Sequence, residues 1–349
     1  MKRIIIYITS VFIIALGLVQ CKKGDTSNGY VYNPTYLSLT IPAGWAAPTK
    51  DIFAGNKLTE QGFQLGRKLF YDGRLSKDDN FPCGSCHQQS AAFATFDHQF
   101  SHGFNNTLTF RNAPGIFNIA WMNEMHWDGK ITNFLLQPIS PITAPNEMAE
   151  TVDNVLAKIS KDTAYKRMFK EAFGDETITQ DRMLKAILQF VGSIQSYNSK
   201  YDKVKRNEAS FSVSEAGGYE VFKQKCASCH KEPLFTDNLY HYTGLPIDNV
   251  LQDRGRMIIT GLKADSLKFR TPSLRNVKPS FPYMHDGRFY TLTQVIEHYR
   301  SGINTADPLL DPILTTGISI SETQRLDLIA FLETLTDSVL MHDKRLAQP

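Results

Sequence analysis

The sequence predicts an all-α fold built as two related halves. Apolar residues recur at helical spacing in several stretches, and no stretch shows a convincing alternation of apolar and polar residues, the mark of a half-buried strand. A set of short motifs also occurs twice in the same order, once in each half of the chain. These observations favour two helical domains related by internal duplication.

Chain length and composition set broad limits on the class of protein. The 349 residues suffice for about two domains of ordinary size. Apolar residues make up 42% of the chain and charged residues 21%, both typical of globular proteins. The formal net charge of +3 does not indicate a basic surface for nucleic acid. We therefore expect a folded protein without a nucleic-acid partner.

The N-terminus has the pattern of an export signal. A short basic stretch precedes an apolar run over 4–19, which is short for a membrane-spanning helix. The run ends at Cys21 and resembles the lipobox of bacterial lipoproteins, although Gln20 is larger than the residue usual before that cysteine. The pattern predicts a signal peptide over 1–20, a lipid anchor on Cys21 and a periplasmic location. The alternative is a plain signal peptide with an incidental cysteine.

Two pentapeptides, 83–87 and 226–230, read C-x-x-C-H. This is the attachment signature of c-type haem, in which two thiols bond to the porphyrin and the histidine ligates the iron. The predicted haem-binding residues are Cys83, Cys86 and His87 for the first haem, and Cys226, Cys229 and His230 for the second.

Other uses of paired cysteines fit the sequence less well. A shared zinc site needs cysteine pairs much closer together in the chain, and thioredoxin-like redox centres do not need the histidine. The chain has five cysteines, so with Cys21 assigned to the lipid anchor none is left for a disulfide framework. Haem attachment is therefore the favoured interpretation.

Helix-start signals accompany both pentapeptides. Thr59 is a candidate N-cap for a helix over 58–70 that leads towards the first pentapeptide. Ser212 and Glu215 have the capping-box pattern for a helix that leads into the second. Further helices are predicted over 151–173, over 178–200 with Thr179 or Asp181 near its start, and from Ser321 onwards.

The repetition continues after each pentapeptide. R-N at 111–112 precedes W-D-G at 127–129, and R-N at 275–276 precedes H-D-G at 285–287. This order predicts two cytochrome c-like haem domains related by internal duplication. The predicted bounds are a tether over 21–50, a first domain over 51–205 and a second domain over 206–349.

Motifs beyond haem attachment give the chain a resemblance to a known family. They are L-G-R-K-L-F-Y-D at 65–72, F-R-N-A-P at 110–114, H-W-D-G at 126–129, P-N-E-M at 145–148, F-R-T-P-S-L-R-N at 269–276 and P-Y-M-H-D-G at 282–287. In this order they resemble the bacterial di-haem cytochrome c peroxidase family, which includes MauG. The resemblance implies hydrogen peroxide as substrate, a small cytochrome c or cupredoxin as electron donor, and a homodimer.

The resemblance implies roles for residues around the first haem. Glu147 corresponds to the acid/base that moves a proton between the two peroxide oxygens, and Gln137 to an amide of the same pocket. His102 corresponds to a histidine that ligates the iron until the enzyme is reduced, with His98 as its rival. Without the family motifs, a lone glutamate is more often a surface carboxylate, and loop histidines are usually exposed.

Two further roles follow from the resemblance. Trp127 corresponds to a tryptophan between the haems that is suited to carry electrons, although a tryptophan by itself is more often part of a core. Asn112, with the backbone carbonyls of Ser280 and Pro282, corresponds to a calcium site between the domains, and neutral oxygen ligands suit Ca²⁺. The expected cofactors are therefore two haem c groups and one Ca²⁺.

The sixth ligand of the second haem departs from the peroxidase pattern. Tyr299 occupies the position at which peroxidases of the family have methionine and MauG-type members have tyrosine. A phenolate ligand favours ferric and higher-valent iron, whereas a thioether raises the reduction potential. Met284 is the alternative ligand.

Three functions are therefore compared. The favoured one is a peroxidase that reduces hydrogen peroxide to water, with electrons that enter at the second haem and pass Trp127. The second is a MauG-like oxidase that stores oxidising equivalents on both haems and oxidises a protein or a small substrate. The third is an electron-transfer cytochrome without turnover, which would need neither Glu147 nor Gln137. His102 favours the first function and Tyr299 favours the second.

Overall fold

The computed structural model describes residues 30–349, so the predicted signal peptide and Cys21 lie outside the described residues. Within them, Tyr32–Pro349 forms one compact unit. This unit is rich in helix, and its sheet consists of one pair of two-residue strands. The predicted helical class is therefore confirmed. No helix in the described part of the chain is long and apolar enough to cross a membrane.

The regular elements are short and are joined by turns and 3₁₀ segments. The α-helices are α1 (Glu60–Phe70), α2 (Cys83–Cys86), α3 (Ile139–Thr143), α4 (Val152–Ile159), α5 (Thr163–Phe173), α6 (Gln180–Gly192), α7 (Lys200–Lys205), α8 (Val213–Lys225), α9 (Met257–Thr260), α10 (Leu292–Glu297), α11 (Glu322–Glu333) and α12 (Ser338–His342). Strands β1 (Tyr240–His241) and β2 (Phe269–Arg270) pair antiparallel.

The helix starts follow the capping signals of the sequence. The Thr59 side chain accepts a hydrogen bond from the backbone N–H of Gly62 at the start of α1, and Thr179 caps α6. Ser212 and Ser321 each form a complete capping box, at the starts of α8 and α11. These side chains satisfy backbone donors that the first helical turn leaves unpaired, which is why they mark the starts reliably.

Two predicted helices differ in extent from those observed. The segment 151–173 forms two helices, because α4 ends at Ile159 and the Asp162 side chain then caps the start of α5. A capping aspartate competes with continuation of the preceding helix. The helix predicted over 178–200 ends at Gly192, a residue type of low helix propensity.

The segment before residue 51 packs against the body, where the sequence predicted a tether. The backbone N–H of Thr40 donates to the side-chain oxygen of Gln195 at 3.0 Å. The Trp45 ring packs edge-on against Trp121 at 5.3 Å and lies 4.7 Å from the Arg275 guanidinium. The compact unit therefore begins about twenty residues earlier than predicted, because composition does not reveal contacts with distant residues.

Each half of the unit contains one close helix crossing, α1 on α6 and α8 on α11. Both crossings depend on a glycine. A Cβ atom on Gly66 would lie 1.9 Å from the carbonyl oxygen of Ala186, and one on Gly218 would lie 1.9 Å from that of Asp327. Both glycines lie on a helix that precedes a pentapeptide, so each crossing fixes the position of that helix.

We expect Gly218→Ala to destabilise the protein by about 1–3 kcal/mol, the usual range for overpacking a close contact. The backbone carbonyl of Asp327 cannot move without displacing α11, so the helices must separate. Gly217→Ala is the matched control, since its Cβ would meet only the movable carboxylate of Asp327, at 3.0 Å. The control should unfold at the wild-type temperature or slightly above it, because alanine favours the helix. Equal thermal midpoints for the two variants would contradict the proposed role of the crossing.

The W-D-G and H-D-G motifs adopt similar loops in the two halves. The residue before each motif has positive φ, 68° at His126 and 73° at Met284. The glycine that closes each motif is also left-handed, with φ of 76° at Gly129 and 65° at Gly287. A non-glycine residue in this region is uncommon and requires support from its surroundings. These two loops face the candidate site described next.

Candidate active site

The first pentapeptide forms the single-turn helix α2 and ends at His87. Nδ1 of His87 lies 3.1 Å from the carbonyl oxygen of Phe93, so the hydrogen bond fixes the ring and leaves Nε2 as the metal-binding nitrogen. Burial lowers the pKa of His87, which favours the neutral imidazole that iron requires. Cys83 and Cys86 are free thiols rather than a disulfide. We call this group of residues the first haem site.

The second pentapeptide repeats this arrangement. Nδ1 of His230 lies 3.1 Å from the carbonyl oxygen of Phe235, and burial lowers the pKa of the imidazole. Cys226 and Cys229 are also free thiols. Burial raises the pKa of Cys226 to about 12, and the same cause raises that of Cys83 to about 12. Burial in apolar surroundings thus disfavours the thiolate form of both cysteines.

A largely apolar cavity of about 510 Å³ adjoins the second pentapeptide. Cys226, Cys229 and His230 line it, together with Tyr299 and Met284. Its volume lies within the usual range for cofactor pockets. The two candidate sixth ligands therefore border the same space as the predicted iron ligand.

The polar groups of this cavity also suit a haem. Arg270 is buried, and its guanidinium is hydrogen-bonded to the backbone carbonyls of His126 and Thr271, at 3.3 and 3.5 Å. No ion pair joins it to a carboxylate within residues 30–349, and burial lowers its pKa to about 10. The buried side-chain oxygen of Asn238, which also borders the cavity, has no partner among the described residues. An unpaired buried cation fits a ligand that carries carboxylates, as haem does.

Tyr299 lies in a π-helical turn, His298–Gly302, that directly follows α10. Such turns are rare and frequently occur at functional sites. Burial raises the pKa of Tyr299, and the neighbouring Cys226 and Cys229 raise it further, so the phenol lies beside the second pentapeptide. A metal ion would reverse this preference, because coordination favours the phenolate.

Glu147 lies beside the first haem site. Burial raises the pKa of its carboxyl group, and the nearby Lys130 partly offsets this effect. The carboxylate in turn raises the pKa of Cys83 and of Cys86, which places its charge close to both thiols. Glu147 is therefore a partly buried, protonatable group next to the first pentapeptide, as the family motif implies.

The loop of His102 is held against the backbone of Glu147. The N–H of Phe104 donates to the carbonyl oxygen of Glu147 at 2.7 Å. A Cβ on Gly103 would lie 2.3 Å from the carbonyl oxygen of Asn146, so only glycine permits this approach. His102 itself is exposed, and its ring centre lies 5.7 Å from that of His98. Both histidine candidates for the first iron therefore lie on one loop.

Gln137 pairs with a residue that the sequence did not single out. Its side-chain oxygen lies 2.8 Å from Nε2 of His126, which directly precedes Trp127. The charge of His126 contributes to the lowered pKa of His87, so the pair lies near the first haem site. Gln137 precedes the short helix α3 and Glu147 follows it. The only sequence signal for His126 is its position in the H-W-D-G motif.

Trp127 connects the two halves of the protein through its backbone and its ring. Its indole N–H donates to the carbonyl oxygen of Asn112 at 2.9 Å, and its own carbonyl oxygen accepts from the N–H of Arg270 at 2.7 Å. The residue is buried and borders the cavity of the second pentapeptide. Trp127 therefore lies next to the second site. It also belongs to the loop that carries His126, which lies near the first site.

Asn112 is buried at the contact between the halves. Its amide nitrogen donates to the carbonyl oxygens of Gln99 and His98, at 3.1 and 3.4 Å, so its amide oxygen is available to another partner. Ser280 and Pro282 border the same cavity as Asn112. The three predicted calcium-binding residues therefore border the cavity that adjoins the second pentapeptide.

The fold and the two pentapeptide sites define a class, namely helical proteins with two covalently attached haem c groups. The sequence profile described as "Di-haem cytochrome c peroxidase" matches residues 60–210. The methylamine utilization protein MauG of Methylophilus methylotrophus is 31% identical over 296 residues, which cover 82% of this chain and 85% of that protein. The cytochrome c551 peroxidase of Nitrosomonas europaea is 34% identical over 273 residues, or 75% and 81% of the two chains. The chain belongs to the di-haem cytochrome c peroxidase family.

A solved structure agrees with this membership. The crystal structure described as a MauG-like protein associated with microbial copper homeostasis has a TM-score of 0.82 and 31% sequence identity, and the match covers 90% of this chain and 99% of that chain. Membership of this family implies two c-type haems and an oxidoreductase activity of the peroxidase type. The prediction of the family from sequence motifs is thereby confirmed.

Proposed function

We propose that the protein reduces hydrogen peroxide to water at the first haem site, with electrons from a small periplasmic cytochrome c or cupredoxin. The observation that carries this proposal is the partly buried Glu147 beside Cys83 and Cys86. An electron carrier needs no acid next to its haem, and withdrawing a carboxyl group from water without an ion-pair partner has a free-energy cost. A proton-transfer role at this position explains why the cost is tolerated.

The residues of the first site supply proton transfer and orientation. A haem held by Cys83, Cys86 and His87 would supply the electrons that reduce the O–O bond. Glu147 takes a proton from one peroxide oxygen and delivers it to the other, which leaves as water. With two electrons and two protons, one hydrogen peroxide gives two molecules of water. The side-chain amide of Gln137 orients the peroxide by a hydrogen bond.

The second site supports the delivery of electrons. The cavity beside His230 would hold the second haem, with Arg270 as the partner of a haem carboxylate. Trp127 borders this cavity and continues into the loop of the first site. A buried indole whose N–H is hydrogen-bonded is suited to pass an electron between the two halves. His102 would ligate the first iron in the oxidised protein and leave it on reduction, since its loop is exposed.

A second candidate function is a MauG-like oxidase, and Tyr299 is the observation that favours it. Tyrosine ligation stabilises oxidised iron, so the second haem would hold an oxidising equivalent rather than accept electrons from a donor of high potential. The substrate would then be a protein or a small molecule. In this case peroxide is the oxidant and no donor protein is needed.

We further propose that the two halves are cytochrome c-like domains that arose by duplication. Support comes from the paired histidine contacts, the paired glycine crossings and the paired left-handed loops. Asn112, Ser280 and Pro282 form the proposed calcium site. Calcium would link the halves, because the predicted ligands come from both.

The location and assembly are also part of this proposal. Lipidation of Cys21 after removal of residues 1–20 would anchor the protein to a membrane in the periplasm, a compartment that c-type haem attachment suits. The family resemblance favours a homodimer. Mass spectrometry of the mature N-terminus and light scattering of the loaded protein would test these two points separately.

Peroxide consumption with and without a reduced donor distinguishes the functions. For a peroxidase, we expect two one-electron donor molecules to be oxidised for each peroxide consumed, by the stoichiometry given above. For a MauG-like oxidase, peroxide alone should produce a long-lived oxidised protein, and the donor should not accelerate turnover. A reductive titration followed by EPR would give the haem count, potentials and ligand types. Failure to consume peroxide with any donor or substrate, with both irons six-coordinate after reduction, would leave the electron-carrier function instead.

A further inference from the structure

We propose that His126 is a positioning residue that orients the amide of Gln137 towards peroxide. This inference rests on the proposed function, because it assigns the peroxide site to the residues around Glu147. Nε2 of His126 and the side-chain oxygen of Gln137 are 2.8 Å apart, which is the distance of a good hydrogen bond. The charge of His126 contributes to the lowered pKa of His87, so this hydrogen-bonded pair lies near the first haem site.

The donor and acceptor roles in this contact determine the tautomer of His126 and the orientation of the Gln137 amide. The amide oxygen of Gln137 faces Nε2 of His126 and accepts, so in this arrangement Nε2 is the donor. Burial lowers the pKa of His126, which favours the neutral ring with its lone pair on Nδ1. With its oxygen held by the imidazole, Gln137 has its NH₂ group left to donate. An oxygen atom of peroxide is the acceptor that this donor fits.

The backbone holds His126 in place independently of Gln137. Its φ of 68° is left-handed, a conformation that a non-glycine residue adopts only when its surroundings support it. The carbonyl oxygen of His126 accepts a hydrogen bond from Nε of the buried Arg270 at 3.3 Å. The next residue, Trp127, is buried and hydrogen-bonded through its indole N–H. The imidazole is therefore presented from a fixed backbone, as a positioning role requires.

The charged groups near His126 and Gln137 do not take the place of the hydrogen bond between these two residues. The charge of Asp128 raises the pKa of His126, whereas Lys130 and Arg111 lower it. Arg111 forms ion pairs with both Asp128 and Asp253, each at 2.6 Å, so these charges largely offset one another. Gln137 is the group that hydrogen-bonds the imidazole. The orientation of its amide is thus the property that should change when His126 is replaced.

A double-mutant cycle on the haem-loaded protein tests the proposal. The variants are His126→Phe, Gln137→Leu and the combination of both. Two quantities are measured, kcat/KM for hydrogen peroxide and the infrared C–O stretch of carbon monoxide bound to the reduced first haem, which responds to nearby hydrogen-bond donors. We expect either single change to lower kcat/KM about tenfold, the loss of one hydrogen bond of ordinary strength. Both changes should also shift the C–O stretch in the same direction.

The two residues should be coupled, because His126 acts through Gln137. The combined variant is therefore expected to lose no more activity than either single variant, rather than about a hundredfold. His126→Gln retains a donor and should restore most of the activity and the wild-type stretch. If His126→Phe leaves the stretch unchanged, or if the two losses multiply, the positioning role is wrong.

The controls separate this inference from the proposed function. His342 is exposed in α12, so His342→Phe should leave both readouts unchanged. Haem content and the thermal midpoint are measured for every variant; if His126→Phe does not fold, His126→Asn and His126→Gln give the comparison. If Gln137→Leu and Glu147→Gln both leave peroxide turnover unchanged, the proposed site itself is wrong. If only His126→Phe has no effect, the proposed site stands and the positioning role fails.

Discussion

Replacing Glu147 by glutamine is expected to lower kcat/KM for hydrogen peroxide by about 10²–10⁴-fold, the range for loss of a general acid–base group. Glutamine preserves size and hydrogen bonding but cannot exchange a proton at neutral pH. Haem content should remain that of the wild type, because the residue attaches neither haem. Stopped-flow kinetics at several peroxide concentrations, together with the haem spectrum, measure both outcomes.

The pH dependence provides a second measurement of the same role. Glu147 must be deprotonated to accept a proton, and burial raises its pKa above the usual value of 4.5. Turnover should therefore decrease as the pH falls, with a midpoint above that of an ordinary glutamate. This acid limb should be absent from Glu147→Gln and retained by the control Glu171→Gln, which changes an exposed carboxylate on α5. An unchanged acid limb in Glu147→Gln would assign the titration to another group.

Replacing Tyr299 by methionine is expected to raise the reduction potential of one haem by on the order of a hundred millivolts or more, because a thioether stabilises ferrous iron. The other haem should keep its spectrum. The variant should also accept electrons more readily from a donor of high potential. Its activity should therefore become more like that of a peroxidase and less like that of an oxidase. A redox titration followed by optical and EPR spectroscopy resolves the two haems.

Companion variants identify the ligand. Tyr299→Phe removes the phenol without supplying a new ligand, so it should alter the spectrum of the same haem and leave its sixth position open. Tyr290→Phe is the matched control, since Tyr290 is exposed near the start of α10. If neither change at Tyr299 affects any haem, Met284 is the remaining candidate. Met284→Leu should then produce the expected spectral change.

Local signals predicted the helix starts and the haem sites. Capping side chains act within one helical turn, so Thr59, Ser212 and Ser321 could be identified from neighbouring residues alone. Haem attachment is equally local, because the two thiols and the imidazole occupy five consecutive positions. Family membership followed from the order of several such local motifs.

Other features depend on residues far apart in the chain. The early start of the compact unit comes from contacts such as that between Trp45 and Trp121. The glycine at each helix crossing is required by a carbonyl group on a helix more than a hundred residues away in the chain. Composition near these residues carries no information about their partners, so the sequence predicted a tether instead of packed chain.

By itself, the sequence determined that this is a helical protein with two C-x-x-C-H sites, a candidate acid at Glu147 and a tyrosine at position 299. Only the tertiary structure showed that Glu147 is partly buried beside the first pentapeptide, that Tyr299 shares a cavity with His230, and that His126 is hydrogen-bonded to Gln137. The physical reason is the separation along the chain over which each interaction acts. Capping and covalent attachment act between neighbours in sequence, whereas burial, pKa and side-chain orientation depend on groups that the fold brings together.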